Sequence, residues 1–134
     1  MVRLPHRITM SLPSNYPQIV AAGVAVLRAV STVVRAAAAG QPDAPELWLV
    51  LRDYEGLAGR LTDLDEREWQ DGFGLMFVTG QDLGVLDALV KNGVALQGSS
   101  IVSLTSEQAA SLARLREFLQ RYCVRSYGAG EPAA

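Results

Sequence analysis

Between Asn15 and Ala39 the chain reads NYPQIVAAGVAVLRAVSTVVRAAAA, a long apolar run broken only by Arg28 and Arg35. Ile19, Gly23, Val26 or Leu27, Val30, Val33 or Val34 and Ala37 recur every three or four residues, the period of a buried helix face. Ser14 or Asn15 can cap the start, and Pro17 falls in the first turn, where a missing N–H costs nothing. Gly40 and Pro42 suit the end. The face is built from Ala, Gly and Val, so neighbours can approach its backbone closely. A chain with such a helix must arrange its other elements around it.

A strand over Ile19 to Leu27 is the rival, but it leaves Ala36 to Ala39 without a role; two further readings of this stretch are weaker. Arg3 and Arg7 ahead of an apolar run have the outline of a secretory signal. However, Pro5, Pro13 and Pro17 crowd the approach, and Arg28 follows the run closely. A membrane span needs roughly 20 nearly charge-free residues, and the same arginines interrupt that window. The expectation is a core helix with two arginines at its wet edge, and no membrane partner.

The rest of the chain divides into short elements. Ile8, Met10 and Leu12 alternate as in a strand. Asp43 and Glu46 have the spacing of a capping box. They open a second helix with Leu47, Leu51, Tyr54, Ala58 and Leu61 inward and Trp48, Val50 and Leu57 flanking. Gly56 and Gly59 weaken that helix by about 1 kcal/mol each relative to alanine, and they suggest a close crossing with the first. A short helical piece is expected from Asp63 or Asp65 to Asp71-Gly72, then a strand at Phe73 to Val78.

Thr79 is placed to cap a helix over Gly80 to Lys91, closed by Asn92-Gly93. A hairpin follows, Val94 to Leu96 against Ile101 to Ser103, turning at Gly98-Ser99-Ser100. Thr105 and Gln108 form a second capping-box pattern. It opens a last helix with Ala109, Leu112, Leu115, Leu119 and Tyr122 inward and Phe118 and Cys123 beside them. The expected fold is therefore α+β and predominantly helical. It has four or five helices and a small two- or three-stranded antiparallel element; an all-α bundle is the alternative. Residues 1–127 read as one compact domain and residues 128–134 as a flexible tail.

At 134 residues and 49 % apolar content the chain can bury a single core without metals or disulfides. Cys123 is its only cysteine, which fits a reducing compartment and a cytoplasmic location. Net charge is −2, unevenly placed: Asp43 to Asp87 holds eleven acidic side chains against Arg52, Arg60 and Arg67, whereas Lys91 to Arg125 is basic by three. Such polarity can steer a partner or a second copy.

Chemistry is thinly supplied. His6 is the only histidine, so a His/Cys zinc site cannot form within one chain. The acidic run from Asp63 to Asp71 fails the calcium-loop pattern, with Arg67 in a ligand position and Glu68 where glycine is required. No phosphate-binding glycine pattern is present, and neither Asp53 with Glu55 nor Asp63 with Asp71 is placed to divide its pKa values as an acid/base pair must. Ser99, Ser100 and Cys123 lack a nearby base. The arginines of the last helix could touch phosphates, but no nucleic-acid-reading motif accompanies them. No cofactor or metal is expected, and an enzyme is disfavoured.

The residues point instead to a protein-interaction or scaffold domain, self-associating or binding another protein. Its candidate interface is Arg114, Leu115, Phe118, Arg121, Tyr122 and Arg125. The alternative is a small-molecule-binding protein or small enzyme. Its pocket would lie between the helices and the short sheet, formed by Arg52, Asp53, Tyr54, Trp69, Phe73, Met76 and Phe77.

Overall fold

The structure, a computed structural model, describes residues 13–64, 69 and 78–124. Expectations for the strand at Arg7 to Leu12, the helical piece after Asp65, the strand from Phe73, and the C-terminal tail lie outside the described residues.

Helix α1 spans Tyr16–Ala39. Its first N–H groups are met by backbone rather than by a side-chain cap: Tyr16 N donates to Pro13 O (3.0 Å) and Ile19 N to Asn15 O (3.1 Å). At the other end Gly40 N–H closes on Ala36 O and Ala37 O in a right-handed conformation. Its buried residues are Tyr16, Val20, Gly23, Val26, Leu27, Val30, Ser31, Val34 and Ala38. The helix is thus rotated slightly from the expected face: Ile19 and Ala37 are only half-buried, and Val33 is 46 % exposed.

A five-residue connection leads into helix α2, Pro45–Asp63. Its cap is Ala44 with no side-chain hydrogen bond, so the expected Asp43–Glu46 box does not form. Backbone bonds inside the turn, including Ala44 N to Gln41 O (3.0 Å), do that work instead. Arg28 bonds Thr62 and Arg35 pairs with Glu55, so each step up α1 matches a step down α2. The two helices form an antiparallel hairpin.

Helix α3, Gly80–Asn92, starts with Thr79 N–H donating to Asp82 (2.9 Å) and ends at Gly93, which has φ 65°. A Cβ on Gly93 would lie 2.2 Å from Val102 O, so only glycine fits there. Strands β1 (Val94–Leu96) and β2 (Ser99–Val102) form an antiparallel hairpin. The turn is Gln97-Gly98, both with positive φ as a two-residue hairpin requires. Ser99 and Ser100 therefore belong to a strand rather than the turn. Helix α4, Ser106–Leu119, opens with the Thr105–Gln108 box, both bonds 3.0 Å, and runs into a π-helical turn at Gln120–Val124.

α1 is the hub: it packs on α2, on α4 and on β2. Leu27 of α1 and Leu47, Leu57, Leu61, Leu86, Leu89, Leu112, Leu115 and Leu119 of the other helices are closed off from solvent. Arg60 to Asp82 ties α2 to α3, and Arg116 to Asp87 ties α4 to α3. The fold is mostly helical, with four α-helices and one two-stranded antiparallel sheet among the described residues.

Candidate functional site

α1 is the most apolar helix described, with mean hydropathy 1.8 over its most apolar 18 residues, yet only 39 % of that window is buried. By length and composition alone it could cross a membrane. In the fold, Ala21, Ala22, Ala25, Ala29, Val33 and Ala36 are left exposed. Part of this surface lines the crease where α1 meets α2.

Three adjoining concavities run along that crease. The largest, about 650 Å³, is walled by Val20, Val24, Leu61, Leu64, Tyr16 and Trp69, with Arg28 and Thr62 among its lining residues. Arg28 also borders the second, about 450 Å³, which continues past Ser31, Thr32, Ala36 and Ala39 to Arg35 and Glu55. Arg35 and Glu55 in turn border the third, about 390 Å³, with Trp48, Arg52 and Gly56. Together they form a segmented trough, its segments meeting at Arg28, which bonds Thr62, and at the Arg35–Glu55 pair.

Its polar groups are few and ordered. Arg28 Nη2 donates to Thr62 Oγ1 (3.1 Å), and Thr62 spends its own proton on Ala58 O (2.7 Å). A neutral hydroxyl thus orients the guanidinium without neutralising it. Arg35 pairs with Glu55. Among the described residues, neither Arg28 nor Arg52 meets a carboxylate.

An aromatic wall closes the deep end. Tyr16 lies 6.0 Å from Trp69 and 6.2 Å, nearly parallel, from Phe118; Trp69 and Phe118 are 5.6 Å apart, and Phe118 is 5.2 Å from Tyr122. These spacings are those of favourable edge and offset contacts. Beyond it is a cleft of about 260 Å³ that includes Arg114, Glu117, Phe118, Arg121 and Tyr122.

Four residues of the candidate interface, Arg114, Phe118, Arg121 and Tyr122, therefore share that cleft. Leu115 is fully buried beneath it, and Arg125 lies outside the described residues. Of the candidate pocket, Arg52 lines the trough at one end and Trp69 at the other. Tyr54 is buried on the inner side of α2 and Asp53 is half-buried. Phe73, Met76 and Phe77 lie outside the described residues.

Among the described residues two groups have shifted pKa values. Burial, then the charge of Asp53, raises the Tyr54 phenol above 10.0. The hydrogen bonds that Arg60 donates to Asp82 raise the guanidinium, against a lowering by burial. Neither group lies on the trough. Among the described residues no three metal-ligating side chains gather. What the crease offers is shape, apolar surface and oriented positive charge.

Arg28, Thr62, Arg35 and Glu55 were not singled out as site residues by sequence reading. The available signal was the heptad spacing of the two arginines, the only charges in an apolar helix; their partners depend on the hairpin. No protein-family model matches the chain, and no curated protein or solved structure shows significant similarity to it.

Proposed function

We propose that this domain is a non-enzymatic protein-interaction module, and that the trough of the α1–α2 hairpin seats a helix of a partner protein. One observation carries the reading: the most apolar of the described helices leaves more than half of its most apolar window unburied, and part of that surface lines the crease with α2. Helix-in-groove recognition uses such a surface, with small residues admitting a third helix at an interaxial distance of about 8–10 Å. The 24 residues of α1 extend about 35 Å, enough for a partner helix of several turns.

Charge favours a different chain over a second copy. Among the described residues the trough is lined by Arg28, Arg35 and Arg52 against Glu55, so a two-fold pairing of identical troughs would bring like charges together. A membrane is disfavoured by the same arginines and by a face that is alanine rather than bulky aliphatic. The first concavity has the size of a small-ligand site, roughly 300–1,000 Å³. An apolar acid could therefore enter it, but the trough runs on well past Arg28.

The test is to titrate the full chain with a synthetic leucine-faced helical peptide and follow backbone amide shifts. Saturable shifts along the facing sides of α1 and α2, lost in Ala25→Arg at unchanged stability, are expected. Dimerisation through the same residues would make the occupant a second copy. Uptake by phosphatidylcholine–phosphatidylserine vesicles with broadening of α1 signals would make it a membrane. Either result, or shifts confined elsewhere, overturns the reading.

A further inference from the structure

Resting on that reading, we infer that the trough selects its helix by charge: the partner carries bulky apolar side chains at one end and two carboxylates seven residues apart along the same face. Arg28 and Arg35 stand one heptad apart on α1, about 10.5 Å in rise and only about 20° in rotation. A helix laid along α1 has the same rise, so carboxylates at heptad spacing meet both guanidiniums without either helix bending.

The two arginines are prepared differently. Arg28 is aimed by the Thr62 hydroxyl, whose proton is already committed to Ala58 O, so its full charge is available to a newcomer. Arg35 is held by Glu55 through Nη2, and a guanidinium has further donors for a second carboxylate. Arg52 adds positive charge beyond it. The described lining of the trough is therefore basic on a chain whose net charge is −2, which makes it a place where an acidic helix is steered and registered. On the other side of Arg28, the concavity between Val20, Val24, Leu61 and Trp69 has room for leucine- or phenylalanine-sized anchors. Apolar anchors supply affinity there, and the paired carboxylates set register.

The experiment uses the full chain and three 24-residue leucine-faced synthetic peptides, each made in both sequence orders. One carries two glutamates seven residues apart, one carries glutamines at those positions, and one carries the glutamates five residues apart. Calorimetric titration in dilute buffer should show the heptad-glutamate peptide binding about tenfold or more tighter than the other two, an advantage that shrinks as salt screens it. Arg28→Glu should reverse the preference toward a peptide with lysine at the matching position, and Arg28→Gln should erase it. Equal binding of glutamate and glutamine peptides defeats charge selection while leaving the interaction reading intact. Binding of none of them defeats both. Displacement of the heptad peptide by phosphatidylserine vesicles would assign the arginines to lipid headgroups and overturn the inference.

Discussion

Gly23 of α1 faces Leu115 of α4 so closely that a Cβ on Gly23 would stand 2.8 Å from Leu115 Cβ and 2.5 Å from its Cδ2. A leucine tip can swing aside, but its Cβ moves only with the backbone. Gly23 therefore sets the separation of the two helices. Gly23→Ala gains about 1 kcal/mol in helix propensity and loses about 1–3 kcal/mol to overpacking. A net loss of up to about 2 kcal/mol in urea unfolding is expected. Adding Leu115→Ala to Gly23→Ala should cost less than the sum of the two single changes, the coupling that marks a direct contact.

Gly59 of α2 is the contrasting case. A Cβ there meets nothing within 4 Å, so only the backbone term remains. Gly59→Ala should stabilise the domain by about 0.5–1 kcal/mol. A denaturation midpoint that falls instead would mean that α2 is contacted at this turn.

These two glycines show what was and was not legible in the sequence. Mid-helix glycine signals that something unusual holds locally, and a close crossing was expected at Gly56 and Gly59. The crossing occurs at Gly23, because which face of a helix turns inward depends on partners distant in the chain. The same limit explains Val33, whose period suits the core as well as Val34 does, yet which the observed rotation leaves 46 % exposed. Features decided within a few residues were readable: the Thr105–Gln108 box, the stop at Asn92-Gly93 and the hairpin after it. The trough was not, since exposed alanines look like core alanines until the hairpin shows which side α2 and α4 leave open.

Arg60 and Asp82 meet through two 2.9 Å hydrogen bonds, Nη1 to Oδ2 and Nη2 to Oδ1, and Asp82 also accepts from Thr79 N–H. The carboxylate thus joins α2 to α3 and caps α3 at once. Asp82→Ala should cost about 2–3 kcal/mol, combining a lost cap with a lost charge-assisted pair. Asp82→Asn, which keeps an oxygen for Thr79, should cost nearer 1 kcal/mol, since the Arg60 side chain is 37 % exposed and its pairing is screened. Arg60 itself stays charged throughout any practical pH range, because its shift is upward. Urea unfolding of the two Asp82 variants separates cap from pair.

Tyr54 predicts an alkaline loss of stability. Burial favours its neutral phenol and Asp53 repels the phenolate, so the folded chain keeps this proton to higher pH than the unfolded chain, whose value is near 10.0. The folded state then binds more protons than the unfolded state above that value, and stability must fall as pH rises. The Tyr54 contribution is intact below pH about 10 and is lost as pH climbs through the folded value. Stability measured from pH 8 upward should stay level and then decline. Tyr54→Phe should flatten part of that decline while leaving the neutral-pH value within about 1 kcal/mol.

Arg28 and Arg35 should contribute little to stability. Each is exposed; Arg28 donates to a neutral hydroxyl and Arg35 forms a surface pair with Glu55. Exposed pairs of this kind contribute about 0–1 kcal/mol. Arg28→Ala and Arg35→Ala should therefore each unfold within about 1 kcal/mol of the parent chain, in contrast to Asp82→Ala. That separation makes the arginines clean probes of the trough, because peptide affinity lost in these variants could not be attributed to a weakened fold. If either substitution instead lowers stability by about 2 kcal/mol or more, the arginine is holding the hairpin together. Its place on the crease would then be explained by folding alone.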